Sequence, residues 1–318
     1  MRIARTPGEL ATGGPADLTL TVGNFDGLHL GHQAVVAEMQ AGARGRGSVS
    51  TVVTFDPHPA AVVHPGSAPC LLTPTEEKLA LLAETGVDVT LVVEFTADVA
   101  GMDAVGFLDQ LGVGPGSHLV LGYDFHMGKD RACGPARLYE MGSVLGYGLD
   151  IVPPVLHAGV PVSSSRIRQS VEAGEMEEAG SMLGRPYAIV GQVVSGASLG
   201  GQLGFPTANL DTAPGKLLPA DGVYFATVET LGGTPGLLYV GSRPTFGDSR
   251  RAVEVHVIDF SGDLYGAVMT AAVHRRIRSD RRFGSADELR RQMDRDLAVA
   301  RAIAGAPEDG GLDDRAAR

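Results

Sequence analysis

The sequence predicts an α/β part followed by an all-β part. The first is a parallel sheet with helices on both faces. The second is a small β-barrel that ends in one helix. Three observations carry this. Strand-like and helix-like segments alternate through the first half. From residue 189 the segments become short, β-branched and separated by Gly, Pro and Asp. A Ser-capped amphipathic stretch follows them. A chain of 318 residues suffices for two ordinary domains. Its 44% hydrophobic and 20% charged residues fit a globular chain with a real core.

The elements follow in order. "LTLTVG" (18–23) reads as a buried strand, and the spacing of three and four in "HQAVVAEMQAGARG" predicts a helix starting near Gly31. "VSTVVTF" (49–55) is a second strand. "TPTEEKLALLAETG" (73–86) predicts a helix with Thr73 as cap, Pro74 at the first helical position and Gly86 past the end. "VDVTLVVEF" (87–95), "HLVLG" (118–122) and "LDIVPPV" (149–155) complete five strands, with helices over 103–112 and "PARLYEMGSVLG" between them. Residues 163–187 read as two short helices split by Gly174. "AIVGQVV", "GVYFATVET", "GLLYVG", "AVEVHVIDF" and "VMTAAVH" supply the barrel, and the helix over 285–305 is capped by Ser285. The domain boundary is expected near residue 184, giving 1–184, 185–305 and a Gly- and charge-rich tail, 306–318, without fixed structure.

Composition narrows the function classes. A net charge of −11 argues against a nucleic-acid surface, which needs a basic face, but not against small nucleotide substrates. Cys70 and Cys133 form no metal or disulfide pattern, as expected of a reduced cytoplasmic protein. The N-terminus lacks the apolar stretch of a signal peptide, and no run approaches the roughly 18 apolar residues of a membrane helix. A homo-oligomer is compatible with the sequence.

"GNFDGLHLGH" (23–32) places His29 and His32 between a strand and a helix, with Gly23, Gly27 and Gly31 around them. Backbone N–H groups at a helix start face anions, so the pair reads as phosphate donors. The alternatives are structural histidines and a metal pair, though no further zinc ligand lies nearby. Ser163, Ser164, Arg166 and Arg168 sit at another helix start and suit a pyrophosphate, while a surface arginine is the plain alternative for Arg168. Asp124 and Phe125 follow a strand end, where α/β sheets place ligands; Asp124 could equally cap its turn.

"GFPTANL" (204–210) poses a second question. Gly204 permits close approach, Pro206 fixes the backbone, and Thr207 and Asn209 face one way if extended. Their oxygens are hard ligands suited to Mg²⁺ with a nucleotide phosphate; an ordinary turn is the alternative. Glu254 sits between Val253 and Val255 on a strand, as an outward surface glutamate also would.

The His29–His32 stretch resembles the H-x-G-H signature of the nucleotidyltransferase superfamily. Together with "TFDPHP" (54–59), "GYDFHMGKDRACG" (122–134) and 162–187, it looks like the adenylyltransferase module of prokaryotic bifunctional riboflavin kinase/FAD synthetases. Residues 191–210, 218–229, 240–246 and 254–266 are similar to the riboflavin kinase module, in its order. The resemblance implies a Rossmann-like nucleotidyltransferase domain and a riboflavin-kinase-type barrel. It implies riboflavin, FMN and ATP as substrates, with Mg²⁺. It places Gly23, Phe25, Asp26, Gly31, Ser163, Ser164, Arg166, Arg168, Gly200, Gly204 and Pro206 on nucleotide. Asp56, Pro57, His58, Asp124, Phe125 and Arg278 fall on flavin, Thr207 and Asn209 on metal, and Glu254 as general base for the riboflavin 5′-hydroxyl. One departure stands out. The glycine loop at 197–202 is neutral where the family carries arginines. That leaves a paralogue with adenylyltransferase activity alone, or one acting on a modified flavin, as the second reading. A non-catalytic flavin- or nucleotide-binding regulator is the third.

Overall fold

A computed structural model describes residues 1–13, 18–196, 204–242 and 251–305. Gly200, the neutral loop at 197–202 and the tail at 306–318 lie outside these residues. The chain forms two compact units. The first comprises Met1–Gln169, Ser181–Arg185 and Pro214–Leu217; the second comprises Ser170–Gly180, Pro186–Ala213 and the residues from Leu218 onward. The chain therefore passes from one unit to the other several times, and not by a single cut.

The first unit is built on a six-stranded, wholly parallel sheet. Its strands are β1 (Arg2–Ala4), β2 (Leu18–Val22), β3 (Val49–Asp56), β4 (Val89–Glu94), β5 (His118–Gly122) and β6 (Gly148–Val152), in the order β1-β4-β3-β2-β5-β6. The sequence predicts five of the six. With three residues, β1 is too short for any periodic signal, and only its pairing with β4 makes it a strand. The strand expected over 149–155 stops at Val152, because Pro153 and Pro154 have no N–H to give a ladder.

Alternate side chains of the strands enter separate cores. Leu20, Val22, Val53, Leu91, Leu119 and Leu121 pack with Phe107 and Leu108 of α5 (Ala104–Gln110), and with Leu138 and Met141 of α6 (Pro135–Leu145). Val52 and Val120 pack oppositely with Val35, Val36 and Met39 of α1 (Leu30–Arg46), and with Leu82 of α3 (Thr75–Glu84). Burial on both faces is why these strands read as nearly continuous apolar runs. Gly47 ends α1 in the left-handed conformation, with φ of 66° and its N–H on Ala43 and Arg44 carbonyls.

One helix start differs from expectation. Pro74 occupies the cap position of α3, which has no side-chain cap. The Thr73 hydroxyl is instead drawn to Asp26 Oδ1 at 3.2 Å and accepts the Gly27 N–H at 2.8 Å. A buried carboxylate outcompetes the helix terminus for it. Short helices α2 (Pro59–Val63) and α4 (Ala97–Gly101) complete the edges of the unit. α7 (Ser164–Ala173) and α8 (Met176–Leu183) are separated at Gly174, which takes a φ of 78°.

The second unit is a closed antiparallel barrel of six strands. They are β9 (Tyr187–Val194), β10 (Ala208–Thr212), β11 (Gly222–Val228), β12 (Thr234–Ser242), β13 (Arg251–Val257) and β14 (Val268–Ser279), ordered β10-β13-β12-β11-β14-β9. Five were expected as strands, and the sixth, β10, emerges from the P-T-A-N stretch. α9 (Ala286–Ala304) lays Leu297, Ala300 and Ile303 against Val223, Phe225, Leu237 and Ile258.

Candidate active sites

The strand order of the first unit reverses between β2 and β5. That switch point leaves a crevice beyond their carboxyl ends. A cavity of about 990 Å³ occupies it. Gly23, Phe25, His29, Gly31, His32, His58, Asp124, Phe125, Ser163 and Ser164 all line this cavity. Asp26, Asp56, Pro57, Arg166 and Arg168 are not in its wall.

The turn between β2 and α1 is held in an unusual backbone. Phe25 (φ 50°), Gly27 (φ 83°) and Leu28 (φ 37°) are left-handed. Such values are costly for Phe and Leu, so the surroundings must impose them. At Gly27 a Cβ would also lie 2.8 Å from Leu72 Cδ1. The imposing groups are visible. The Asp26 carboxylate, 3% exposed, accepts the backbone N–H of Leu72 at 3.1 Å and of Thr73 at 2.8 Å, and pairs with Arg168 at 2.5 Å. Arg185 donates to the carbonyls of Gly27 at 2.8 Å and Leu28 at 3.2 Å. Ser164 Oγ donates to the Asp26 carbonyl at 2.9 Å.

Two of the expected nucleotide ligands have partners of their own within the protein. Arg168 is tied to Asp26 and to the Cys70 carbonyl, at 2.9 Å, instead of facing the cavity. Arg166 is spent on the carbonyls of Val160 and Pro161. These belong to a small two-stranded hairpin of β7 (Leu156–His157) and β8 (Val160–Pro161), separate from the main sheet.

His29 caps α1, its Nδ1 accepting the His32 N–H at 3.2 Å. In a neutral ring the proton therefore sits on His29 Nε2. The two rings stack with centroids 3.6 Å apart and 15° from parallel. Burial pushes His29 down to about 4, against the opposing pull of Asp26. Burial first, then His29 and Lys78, hold His32 well below its ordinary value. Both rings are neutral N–H donors near pH 7. Phe25 meets the His32 ring edge-on, at 5.2 Å between centroids.

Around the cavity, His58 caps α2 by accepting the Ala60 N–H at 3.2 Å, and its Nε2 lies 3.3 Å from the Asn24 amide. The Asp124 carbonyl accepts from His126 Nδ1 at 2.9 Å, and Phe125 N–H closes a turn onto Gly122. The Asp56–Pro57 peptide bond is cis. The far wall is apolar, with Val62, Val63, Phe95, Val99, Met102 and Phe107.

The barrel carries the second site. Register places Asn209 of β10 opposite Glu254 of β13, and Glu254 opposite Tyr239 of β12. Thr207, just before β10, donates to Glu254 Oε2 at 3.1 Å. Asn209 is 9% exposed, and a Cβ on Gly196 would collide with its amide. Pro206 offers its carbonyl to His256 Nδ1 at 2.8 Å, and Gly204 has a φ of 90°. Arg278 pairs with Val223, which itself pairs with Tyr239, so it shares the row of Glu254 across the barrel. Its guanidinium is held 2.8 Å from Asp296 of α9. Burial, with Asp280, Asp221 and Glu254 nearby, pushes the Tyr239 phenol up to about 12.

Sequence reasoning missed several of these residues. Asn24 sits inside the quoted motif but has an unremarked carbonyl role. Thr73, Lys78 and Arg185 come from segments read only as helix, cap or linker. Nothing in their local pattern marks them; burial of a lysine does, and burial is not legible in a single sequence.

Neutral donors at a helix start and a row of hard oxygens beside a carboxylate both serve transferring phosphates. The class is thus a two-unit protein for phosphoryl and nucleotidyl transfer. Residues 14–166 match the FAD synthetase family, and residues 183–304 the riboflavin kinase family. A bifunctional riboflavin kinase/FMN adenylyltransferase of Escherichia coli K12 is 36% identical over 96% of this chain and 98% of its own. One from Pseudomonas fluorescens is 37% identical over 89% and 92%. A solved structure from Streptococcus pneumoniae, described as a macrolide-efflux protein, is 30% identical with a TM-score of 0.84, covering 94% of this chain and 98% of that one. The chain belongs to the bifunctional riboflavin kinase/FMN adenylyltransferase family. Among the described residues, no helix is long and apolar enough to cross a membrane.

Proposed function

We propose that the cavity of the first unit is where FMN is adenylylated, and that the Asn209–Glu254 row of the barrel is where riboflavin is phosphorylated. The family's two reactions are riboflavin phosphorylation to FMN and FMN adenylylation to FAD, with ATP used in each. The domain limits that go with them are 1–184 and 185–305. A cytoplasmic setting suits the free thiols of Cys70 and Cys133.

The stacked, neutral histidine pair at the start of α1 carries the first assignment. The FMN phosphate is already a nucleophile, so the protein needs no covalent intermediate. It must align the two phosphates and stabilise charge on the transferring group. His29 Nε2–H donates toward that charge, joined by the helix start and the hydroxyls of Ser163 and Ser164. The leaving pyrophosphate departs on the side opposite the attacking oxygen. The apolar wall of Val62, Val63, Phe95 and Met102 suits the flavin ring system. Arg168 acts through Asp26, holding the turn, with no phosphate contact of its own.

At the barrel, the Thr207 hydroxyl, the Asn209 amide and the Glu254 carboxylate form a compact set of hard oxygens. That chemistry fits Mg²⁺. Thr207 and Asn209 would hold the ion, which when bound neutralises charge on the ATP phosphates. Glu254 accepts the proton of the riboflavin 5′-hydroxyl as its oxygen attacks the terminal phosphorus.

The test is product chromatography from riboflavin and ATP with Mg²⁺, for two variants. His29→Ala with His32→Ala should abolish FAD and leave FMN formation intact. Asn209→Ala should cut FMN formation while FMN supplied directly is still converted to FAD. Equal loss of both activities in either variant refutes the two-site reading.

A further inference from the structure

A buried cation behind the cavity wall is Lys78, 6% exposed on α3. Its ammonium makes three hydrogen bonds: to the Asn24 carbonyl at 3.2 Å, the Thr54 hydroxyl at 2.9 Å and the Phe55 carbonyl at 3.2 Å. Thr54 in turn donates to the Asn24 carbonyl at 3.1 Å. Asn24 ends the β2 side of the cavity floor, and Phe55 belongs to β3; both line the cavity. Asn24 leads directly into the left-handed turn and the histidine pair, while β3 leads to His58.

We infer that Lys78 is a positioning residue for adenylyl transfer, clamping the ends of β2 and β3 together and so fixing the turn that presents His29 and His32. The inference rests on the reading of that histidine pair as the adenylyl-transferring site. A pure packing role would call for an apolar side chain, since a buried ammonium is costly unless all its protons are used. Here three protons meet three acceptors. Two of them are backbone carbonyls, one just past the end of β2 and one near the end of β3.

The clamp is conditional on charge. A neutral amine has only two N–H groups, so one of the three acceptors is released when Lys78 loses its proton. Burial pushes Lys78 down to about 8, with Asp26 and Asp56 opposing. The other titratable groups acting with it are His32 on α1 and His58 at the start of α2, both of which its charge lowers. Below about 8 the clamp is complete; above it, one of its three contacts is lost.

The experiment is a pH profile of kcat for FMN adenylylation on the full-length protein, with riboflavin phosphorylation by the same molecules as internal reference. The wild-type rate should fall along an alkaline limb centred near the Lys78 value. Thr54→Val keeps the shape but removes one acceptor of the ammonium. It should move that limb to lower pH. Lys78→Met should remove the limb and reduce kcat between about tenfold and a hundredfold, with a smaller change in KM and no change in riboflavin phosphorylation. Survival of the limb in Lys78→Met, or an unmoved limb in Thr54→Val, overturns the proposal. If Lys78→Met loses both activities through misfolding, the Thr54→Val limb decides alone. His29→Ala separates the two readings. An unaffected FAD rate there refutes the histidine site, whereas an inactive His29→Ala together with an unmoved limb in Thr54→Val refutes the Lys78 clamp only.

Discussion

His29 is neutral because it is buried, and the same burial gives it a measurable effect on stability. Its folded value is about 4 against an ordinary 6.5. Between those values the unfolded chain binds a proton that the folded chain refuses, so stability rises with pH across the window. Acidification from pH 6.5 toward 4 should therefore destabilise the first unit by roughly 3 kcal/mol, with His32 adding in the same direction. The check is calorimetric: the unfolding midpoint of that unit should drop over this range, and His29→Gln should flatten the drop. An equal slope in the variant would assign the acid sensitivity elsewhere. The histidines were legible from the sequence because strand, glycine and helix signals bracket them. The contact of Arg168 with Asp26 was not legible, since that partner lies 142 residues away in the chain.

At the level of single elements, α9 shows how a local motif serves tertiary packing. Ser285 caps it by accepting the Glu288 N–H at 3.2 Å, while Glu288 Oε2 accepts the Gly284 N–H at 3.0 Å. This near-reciprocal arrangement, a variant of the capping box, is readable from Ser285 and Glu288 three apart. Ser285→Ala should cost about 1 kcal/mol of barrel stability, measured by denaturant unfolding, with no loss of FAD formation from supplied FMN. An unchanged midpoint would mean that α9 is held by its apolar face alone. The strands of the first unit were legible for a related reason: burial on both faces makes runs such as 118–122 continuous. The start of α3 was not, because Thr73 has two competing partners and only the folded chain decides between them. Strand β10 hid behind Pro206, whose missing N–H reads as a break although it sits just outside the ladder.

On the scale of the whole molecule, Pro214–Leu217 lies in sequence among barrel elements but belongs to the first unit. Leu71 donates to the Gly215 carbonyl, and Leu217 donates back to Leu71, both at 2.8 Å. Lys216 joins Glu77 at 2.5 Å and the Leu72 carbonyl at 2.8 Å, next to the Asp26 network. A fragment of residues 1–184 should thus unfold at a lower temperature than the same unit in the full chain. Loss of the buried Leu217 alone removes roughly 2 kcal/mol. Equal midpoints in calorimetry would contradict this. The passage from an α/β part to a β-barrel was legible from a change of periodicity, whereas the returning segment was not, because four residues carry no periodic signal. A single break in the gene near residue 184 would leave the first unit without the short stretch that bonds to Leu71, Leu72 and Glu77. Separating the two units into independent proteins should therefore cost the first of them stability, so the link between the two halves is mechanical as well as genetic.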